Sequence, residues 1–270
     1  MSPYNPLKRI AQSVGLYDTI RWSPLYRFLR DFRYRKQRSL EINHLAKVIK
    51  PNAFCFDIGA CMGSKTDIFL RLKARRIVAV EPDPSSVATL KARYGKHPSV
   101  IIVDKATSDK VATETFYVQE QGGALNTLSE KWVSSLKNSG LNRFQRVHPF
   151  VDAIPVTTTT LDRLVEQYGV PDMIKLDVEG YEFKTLLGLS RKVPMIFFEC
   201  NLPEFLEETL GCLDQLYKLD GATTFNYCID TTDNPNVRFQ LEQWVNFFRM
   251  REIVGSTSFR FMEIYARTSS

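Results

Sequence analysis

The 270-residue sequence predicts an α/β protein built on a doubly wound, mostly parallel sheet. Three observations carry this. From Phe54 onward, short β-rich runs alternate with amphipathic stretches of helical period, as strand–helix–strand units require. The apolar runs are continuous rather than alternating, which suits strands buried on both faces. Composition agrees, because 44% hydrophobic and 24% charged residues are ordinary for one large globular domain with a well-buried core.

Residues 53–58 form the first strand and end in a loop over 59–63. A helix over about 64–73 places Ile68, Phe69 and Leu72 on one face. Strand two is 77–80, and Pro84 suits the start of a helix over 85–94, where Val87, Leu90 and Tyr94 share a face and Gly95 ends it. Strand three is 100–103. The stretch 107–155 is less regular: 114–118 reads as an edge strand, Gly122-Gly123 as a turn, and about 119–155 as an insert. The β-branched run 156–160 feeds a helix over 161–168, closed by Gly169. Strand four at 173–176, a helix at 179–189, strand five at 195–200, a helix at 204–219 and strand six at 223–229 follow. A loop holding Asn234-Pro235-Asn236, a helix at 241–250 and a last strand at 259–266 complete the chain.

The net charge of +6 is not spread evenly. Residues 1–40 hold nine Lys or Arg against two Asp, and the rest of the chain is near neutral. The expected organisation is a basic, aromatic-rich helical segment at 1–45 ahead of a main domain at 46–270. That segment suits a membrane surface or an acidic partner, or a cap that packs its aromatics on the core; no nucleic-acid partner is expected. Five scattered cysteines with no C-x-x-C pair suit a reducing compartment rather than a disulfide framework or a zinc site. No apolar run approaches the ~20 residues that cross a bilayer. The first 20 residues lack the apolar core of a signal peptide, so a cytoplasmic protein is the expectation.

In an open sheet of this kind a ligand sits outside the carboxyl ends of the strands, so the residues just after each strand are the ones to read. After strand one comes Asp57-Ile58-Gly59-Ala60-Cys61-Met62-Gly63. Its two glycines let the backbone turn sharply and approach a ligand, while a dinucleotide loop would need three glycines in G-x-G-x-x-G. Asp57 would repel a pyrophosphate but suits a cationic amino group. Glu81, directly after strand two, is placed to accept both hydroxyls of a ribose. Asp104, after strand three, is placed to accept from an adenine amino group. Lys175-Leu176-Asp177-Val178-Glu179-Gly180 crosses the end of strand four, where carboxylates two apart in extended backbone share a face. Glu199 adds a further carboxylate to the rim. Of the three histidines, His44 and His97 read as structural or surface residues, and His148 as a minor general-base candidate. Cys61 reads as a small loop-filling residue.

These motifs, in this order and together with Val156–Thr160 and Leu161-Asp162, closely resemble those of the FkbM family of methyltransferases over roughly residues 50–200. Lys-x-Asp-x-Glu-Gly is the most specific part. The resemblance implies a Rossmann-like class I methyltransferase fold with seven strands, the last antiparallel. It also implies S-adenosylmethionine as donor and O-methylation of a small-molecule or glycan hydroxyl, often of a sugar or secondary metabolite. On it, Asp57, Gly59, Ala60 and Gly63 line the methionine side, Glu81 holds the ribose, and Asp177 and Glu179 face the reaction with Lys175 beside them. Either Asp177 or Glu179 accepts the acceptor's proton, or a divalent cation on Asp177, Glu179 and Glu199 binds the hydroxyl; the sequence leaves both open. Two rival classes are a nicotinamide oxidoreductase, disfavoured by the missing three-glycine loop, and a non-catalytic binding module on the same fold.

Overall fold

The computed structural model describes residues 38–138, 140, 142–229 and 237–269. In chain order its strands are β1 (Phe54–Ile58), β2 (Arg76–Val80), β3 (Val100–Val103), β4 (Ala106–Thr107), β5 (Thr113–Val118), β6 (Asp152–Thr159), β7 (Met173–Leu176), β8 (Met195–Asn201), β9 (Thr224–Ile229) and β10 (Phe261–Arg267). Seven of them form the central sheet in the order β3-β2-β1-β7-β8-β10-β9. All pairs are parallel except those of β10, which runs antiparallel between β8 and β9. This is the expected doubly wound, Rossmann-like sheet with its last strand reversed.

Alternation along each strand builds the two core layers. Phe54, Phe56 and Ile58 of β1 join Val78, Ile174, Leu176 and Phe198 on one face. Cys55 joins Ile77, Ala79, Met173 and Phe197 on the other. Every residue of β1 and β7 is buried, and apart from Asp57 and Lys175 every one of them is apolar. Strand order reverses between β1 and β7, and the crevice opens there.

Local signals set most helix ends. Asp83 caps the helix Pro84–Tyr94 by accepting from the Ser86 amide, with Pro84 in the first turn. Thr160 caps Leu161–Tyr168, and Gly169 at φ 97° ends it. Two helices depart from expectation. The one expected at 179–189 spans Glu182–Leu187, because Glu179 (φ 53°) and Gly180 (φ 83°) turn the chain before it. The one expected at 241–250 spans Phe247–Ser256. Val245 exchanges both backbone hydrogen bonds with Phe225 of β9, which holds Val245 in a bridge and delays the helix to the Asn246 cap.

The insert is more ordered than its sequence suggests. β4, β6 and β5 make a separate three-stranded sheet, and the helix Glu130–Leu136 buries Trp132 against Phe205. β6 begins at Asp152, four residues before the β-branched run, and its first half is largely exposed. Of the basic segment expected at 1–45, only the helical residues 38–45 lie within the described residues; the membrane or acidic-partner expectation rests on the part outside them. His44 packs edge-on to Tyr265 with Nε2 3.2 Å from Cys228 Sγ, and burial lowers its pKa to about 4, so its role is structural. Among the described residues no helix is long and apolar enough to cross a membrane.

Candidate active site

The carboxyl ends of β1, β2 and β7 open into a cleft of about 610 Å³ of non-atom space, continuous with solvent. Gly59, Glu81, Asp177 and Glu179 line its floor, and Gly123, Asn126 and Thr127 of the insert cover it.

The β1 loop approaches the end of β7 closely. Gly59 has φ 72°, and a Cβ on it would lie 1.8 Å from the Asp177 carbonyl oxygen, so only glycine fits there. The Gly59 and Ala60 amides both donate to the Val80 carbonyl, which ties the loop to β2. Gly63, at φ 83°, starts the helix Ser64–Arg71 and packs against Tyr94. Cys61 fills the loop at φ 47°; burial pushes its thiol up to about 12, as a filler rather than a nucleophile would have.

Glu81 is 6% exposed and lies at the cleft wall. Its Oε2 accepts from the Cys61 amide at 2.7 Å and its Oε1 from the Asp83 amide at 2.8 Å. Burial raises its pKa to about 7, although both amides favour the charged form. Each oxygen keeps a second lone pair for a ligand hydroxyl.

Asp57 is wholly buried and does not line the cleft. Its Oδ2 accepts from Thr66 Oγ1 at 2.6 Å, and its Oδ1 lies 3.5 Å from Lys175 Nζ. Lys175, 2% exposed, donates to the Gly59 carbonyl at 2.8 Å and pairs with Asp177 at 3.1 Å. Burial pulls its ammonium down, but Asp177 and Asp57 outweigh that and raise its pKa. Its ammonium thus ties the β1 loop to Asp177.

Asp177, Glu179 and Glu199 converge, each with a carboxylate oxygen within 4.8 Å of the others. They do so by a route the sequence does not suggest. Glu179 is not in extended backbone; its left-handed turn swings it beside Asp177, while β8 delivers Glu199 from the neighbouring strand. Thr127 of the insert donates to the Glu179 carbonyl, and Glu182 accepts from the Val178 amide at 3.0 Å, so the turn is held at both ends. Burial, reinforced by Asp177, holds Glu179 and Glu199 well above the usual carboxylate range.

Two expected residues stand apart. Asp104 is exposed, 3.7 Å from Lys91, and is not among the cleft residues, where its neighbour Lys105 stands instead. His148 packs within the insert, where Nε2 accepts from Arg146 Nε at 3.3 Å and Phe144 lies edge-on; it too is outside the cleft lining. Two residues the sequence did not single out prove central. Asp83 accepts from the Gly122 amide and from Asn126 Nδ2, fastening the insert over the cleft. Arg143 lies 3.9 Å from Glu199 and 4.0 Å from the centre of the Phe261 ring. An Asp before Pro at a strand end was a legible cap signal for Asp83; nothing local pointed to Arg143.

A family model described as "Methyltransferase FkbM domain" matches residues 57–246. No curated protein matches the chain. Among solved structures it is similar to a methyltransferase FkbM from Methylobacillus flagellatus KT, at 15% identity over 71% of this chain and 43% of that one, with TM-score 0.47. The chain thus spans less than half the length of that protein. It is also similar to an SAM-dependent O-methyltransferase from Thermotoga maritima, at 11% identity over 87% and 66% of the chains and TM-score 0.41. A TehB-like SAM-dependent methyltransferase from Corynebacterium glutamicum ATCC 13032 aligns at 9% identity over 92% and 100%, with TM-score 0.43.

Proposed function

The chain belongs to the FkbM family of methyltransferase domains, and from that membership we propose an S-adenosylmethionine-dependent O-methyltransferase acting on a hydroxyl of a sugar, glycan or secondary metabolite. The observation that carries the O-methyl reading is the convergence of Asp177, Glu179 and Glu199 beside a cleft whose other wall is Gly59 and Glu81. Glu81, buried yet with lone pairs facing the cleft, holds the ribose hydroxyls of the donor. Gly59 lets the backbone come close to the methionine portion. Asp57 serves the donor side indirectly, by fixing Thr66 and Lys175 beneath the loop. When bound, S-adenosylmethionine supplies a methyl group already activated by its sulfonium. The protein's task is then to hold the acceptor oxygen in line and to receive its proton. Asp177 and Glu179 are the cleft-lining members of the acidic group and do this work; Lys175 keeps Asp177 in place.

The test has two arms. Calorimetry with S-adenosylhomocysteine on Glu81→Ala should show a loss of about 1.5–3 kcal/mol, the scale of hydrogen bonds to a charged group. Transfer of labelled methyl to fractionated glycans and metabolites should fall on the order of 10²–10⁴ in Asp177→Asn or Glu179→Gln, with near-normal donor affinity. Normal turnover in both variants would remove the carboxylates from the reaction.

A further inference from the structure

The acidic group outnumbers the cations beside it. Four carboxylates, Asp57, Asp177, Glu179 and Glu199, stand against two cations within 4 Å, Lys175 and Arg143. Lys175 is already shared between Asp57 and Asp177. Arg143 reaches Glu199 only at 3.9 Å, and among the described residues its Nε and Nη1 make no hydrogen bond. Glu179 is 7% exposed, and its Oε2 is a buried oxygen with no hydrogen-bond partner among the described residues. Leaving a buried carboxylate oxygen unpaired is costly unless something binds it.

We propose that Asp177, Glu179 and Glu199 hold one divalent cation of the hard, oxygen-preferring kind, magnesium, manganese or calcium. Oxygen ligands at about 2.1–2.5 Å from such an ion lie at most roughly 4–5 Å apart, and these three fall within 4.8 Å. The donor set is carboxylate only, which disfavours zinc or copper. One ion would favour the ionised form of these carboxylates and give Glu179 Oε2 its missing partner. Three carboxylates leave about half of a roughly six-coordinate shell to water and to an incoming oxygen. Asp177, with its side chain 25% exposed, is the side from which these enter. The ion would then bind the acceptor hydroxyl and make its proton easier to lose to Asp177 or Glu179, through a carboxylate oxygen the ion leaves free, a role that rests on the O-methyl-transfer reading above; the binding of the ion does not.

Electron paramagnetic resonance titration of Mn²⁺ onto the full chain, without donor or acceptor, tests the site directly. One ion per chain should leave the free signal and be displaced by excess Mg²⁺ or Ca²⁺. Glu179→Gln should weaken binding by roughly 10- to 100-fold, at least the scale seen when only a ligand's supporting contacts are lost. Arg143→Gln removes a competing cation and should tighten it, which gives a second variant should Glu179→Gln fail to melt cooperatively. Absence of bound Mn²⁺ at about 1 mM, the weak end of biological sites, or equal binding by Glu179→Gln, would overturn the proposal. Methyl transfer that persists in EDTA with no bound Mn²⁺ would sink the cation site and keep the transferase reading. Stoichiometric Mn²⁺ binding by a protein that transfers no methyl group would do the reverse.

Discussion

Replacing Gly59 with alanine drives a methyl group into the backbone of the adjoining strand. The added carbon would stand 1.8 Å from the Asp177 carbonyl oxygen, against an ordinary contact of about 3.5 Å. Relief requires the β1 loop and the end of β7 to part by more than an ångström. Bonds across that seam include the Asp177 amide to the Ile58 carbonyl at 3.2 Å, and Lys175 Nζ to the Gly59 carbonyl at 2.8 Å and the Ile58 carbonyl at 3.3 Å. Losing the amide bond costs about 1 kcal/mol, and losing the charged Lys175 bond to Gly59 about 1.5–3 kcal/mol. Holding alanine at φ 72° adds about 1–2 kcal/mol. The sum, about 3.5–6 kcal/mol, is a large share of the roughly 5–15 kcal/mol that stabilises a typical domain. For a domain of this size it corresponds to a fall in Tm of roughly 7–24 °C. Circular dichroism melts and guanidinium unfolding would measure it. Gly255→Ala is the control: it lies in the helix Phe247–Ser256 with nothing within 4 Å of its added carbon, and should gain up to about 1 kcal/mol. If Gly59→Ala melts within about 2 °C of wild type, a shift far below that scale, the close approach of the two strand ends is wrong.

Lys175→Met should cost about 3–5 kcal/mol in denaturant unfolding, because Asp57 is left buried without its cation. Adding Asp57→Asn should recover part of that loss, and failure to recover any would deny the pair its structural role. Glu81 supplies a pH test, since burial raises its folded pKa to about 7 while an unfolded Glu titrates near 4.3. The folded state then binds the extra proton between those values, so the stability Glu81 contributes is present below about pH 4.3 and lost as pH rises through about 7. From pH 4.5 to 8 the stability of wild type relative to Glu81→Gln should therefore fall by about 3 kcal/mol, read from unfolding midpoints of the two proteins. A difference that does not vary with pH would mean that Glu81 is ionised throughout.

Where structure depends on neighbours within a few residues, the sequence was readable. The β-rich runs at 54–58, 77–80 and 173–176, apolar apart from Asp57 and Lys175, needed little beyond composition to be placed as two-sided strands, and Pro84 and Gly169 marked helix ends by their own backbone chemistry. The same locality failed at 241–245, where Val245 is held extended by Phe225, twenty residues away. It failed again in the insert, where β6 pairs with β5 and β4 across 34 to 52 residues and no periodicity in 119–155 announces it.

The site divides in the same way. Asp57, Gly59, Glu81, Asp177 and Glu179 could be picked out because each lies at or just beyond the carboxyl end of a strand, and a strand end is a local property of the chain. What those residues do depends on distances that no local pattern contains. Asp57 and Glu81 are both acidic residues at strand ends, yet the first is enclosed by Thr66 and Lys175 while the second keeps a face on the cleft. Asp104 had the same kind of position and is left outside, paired with Lys91. Glu199 and Arg143 meet Glu179 only because the sheet order sets β8 beside β7 and the insert folds back over both. Backbone periodicity and turn chemistry are settled within one or two helical turns, so the sequence alone carried them. Burial, charge balance and the convergence of carboxylates are sums over elements far apart in the chain, and they acquired values only when the sheet assembled.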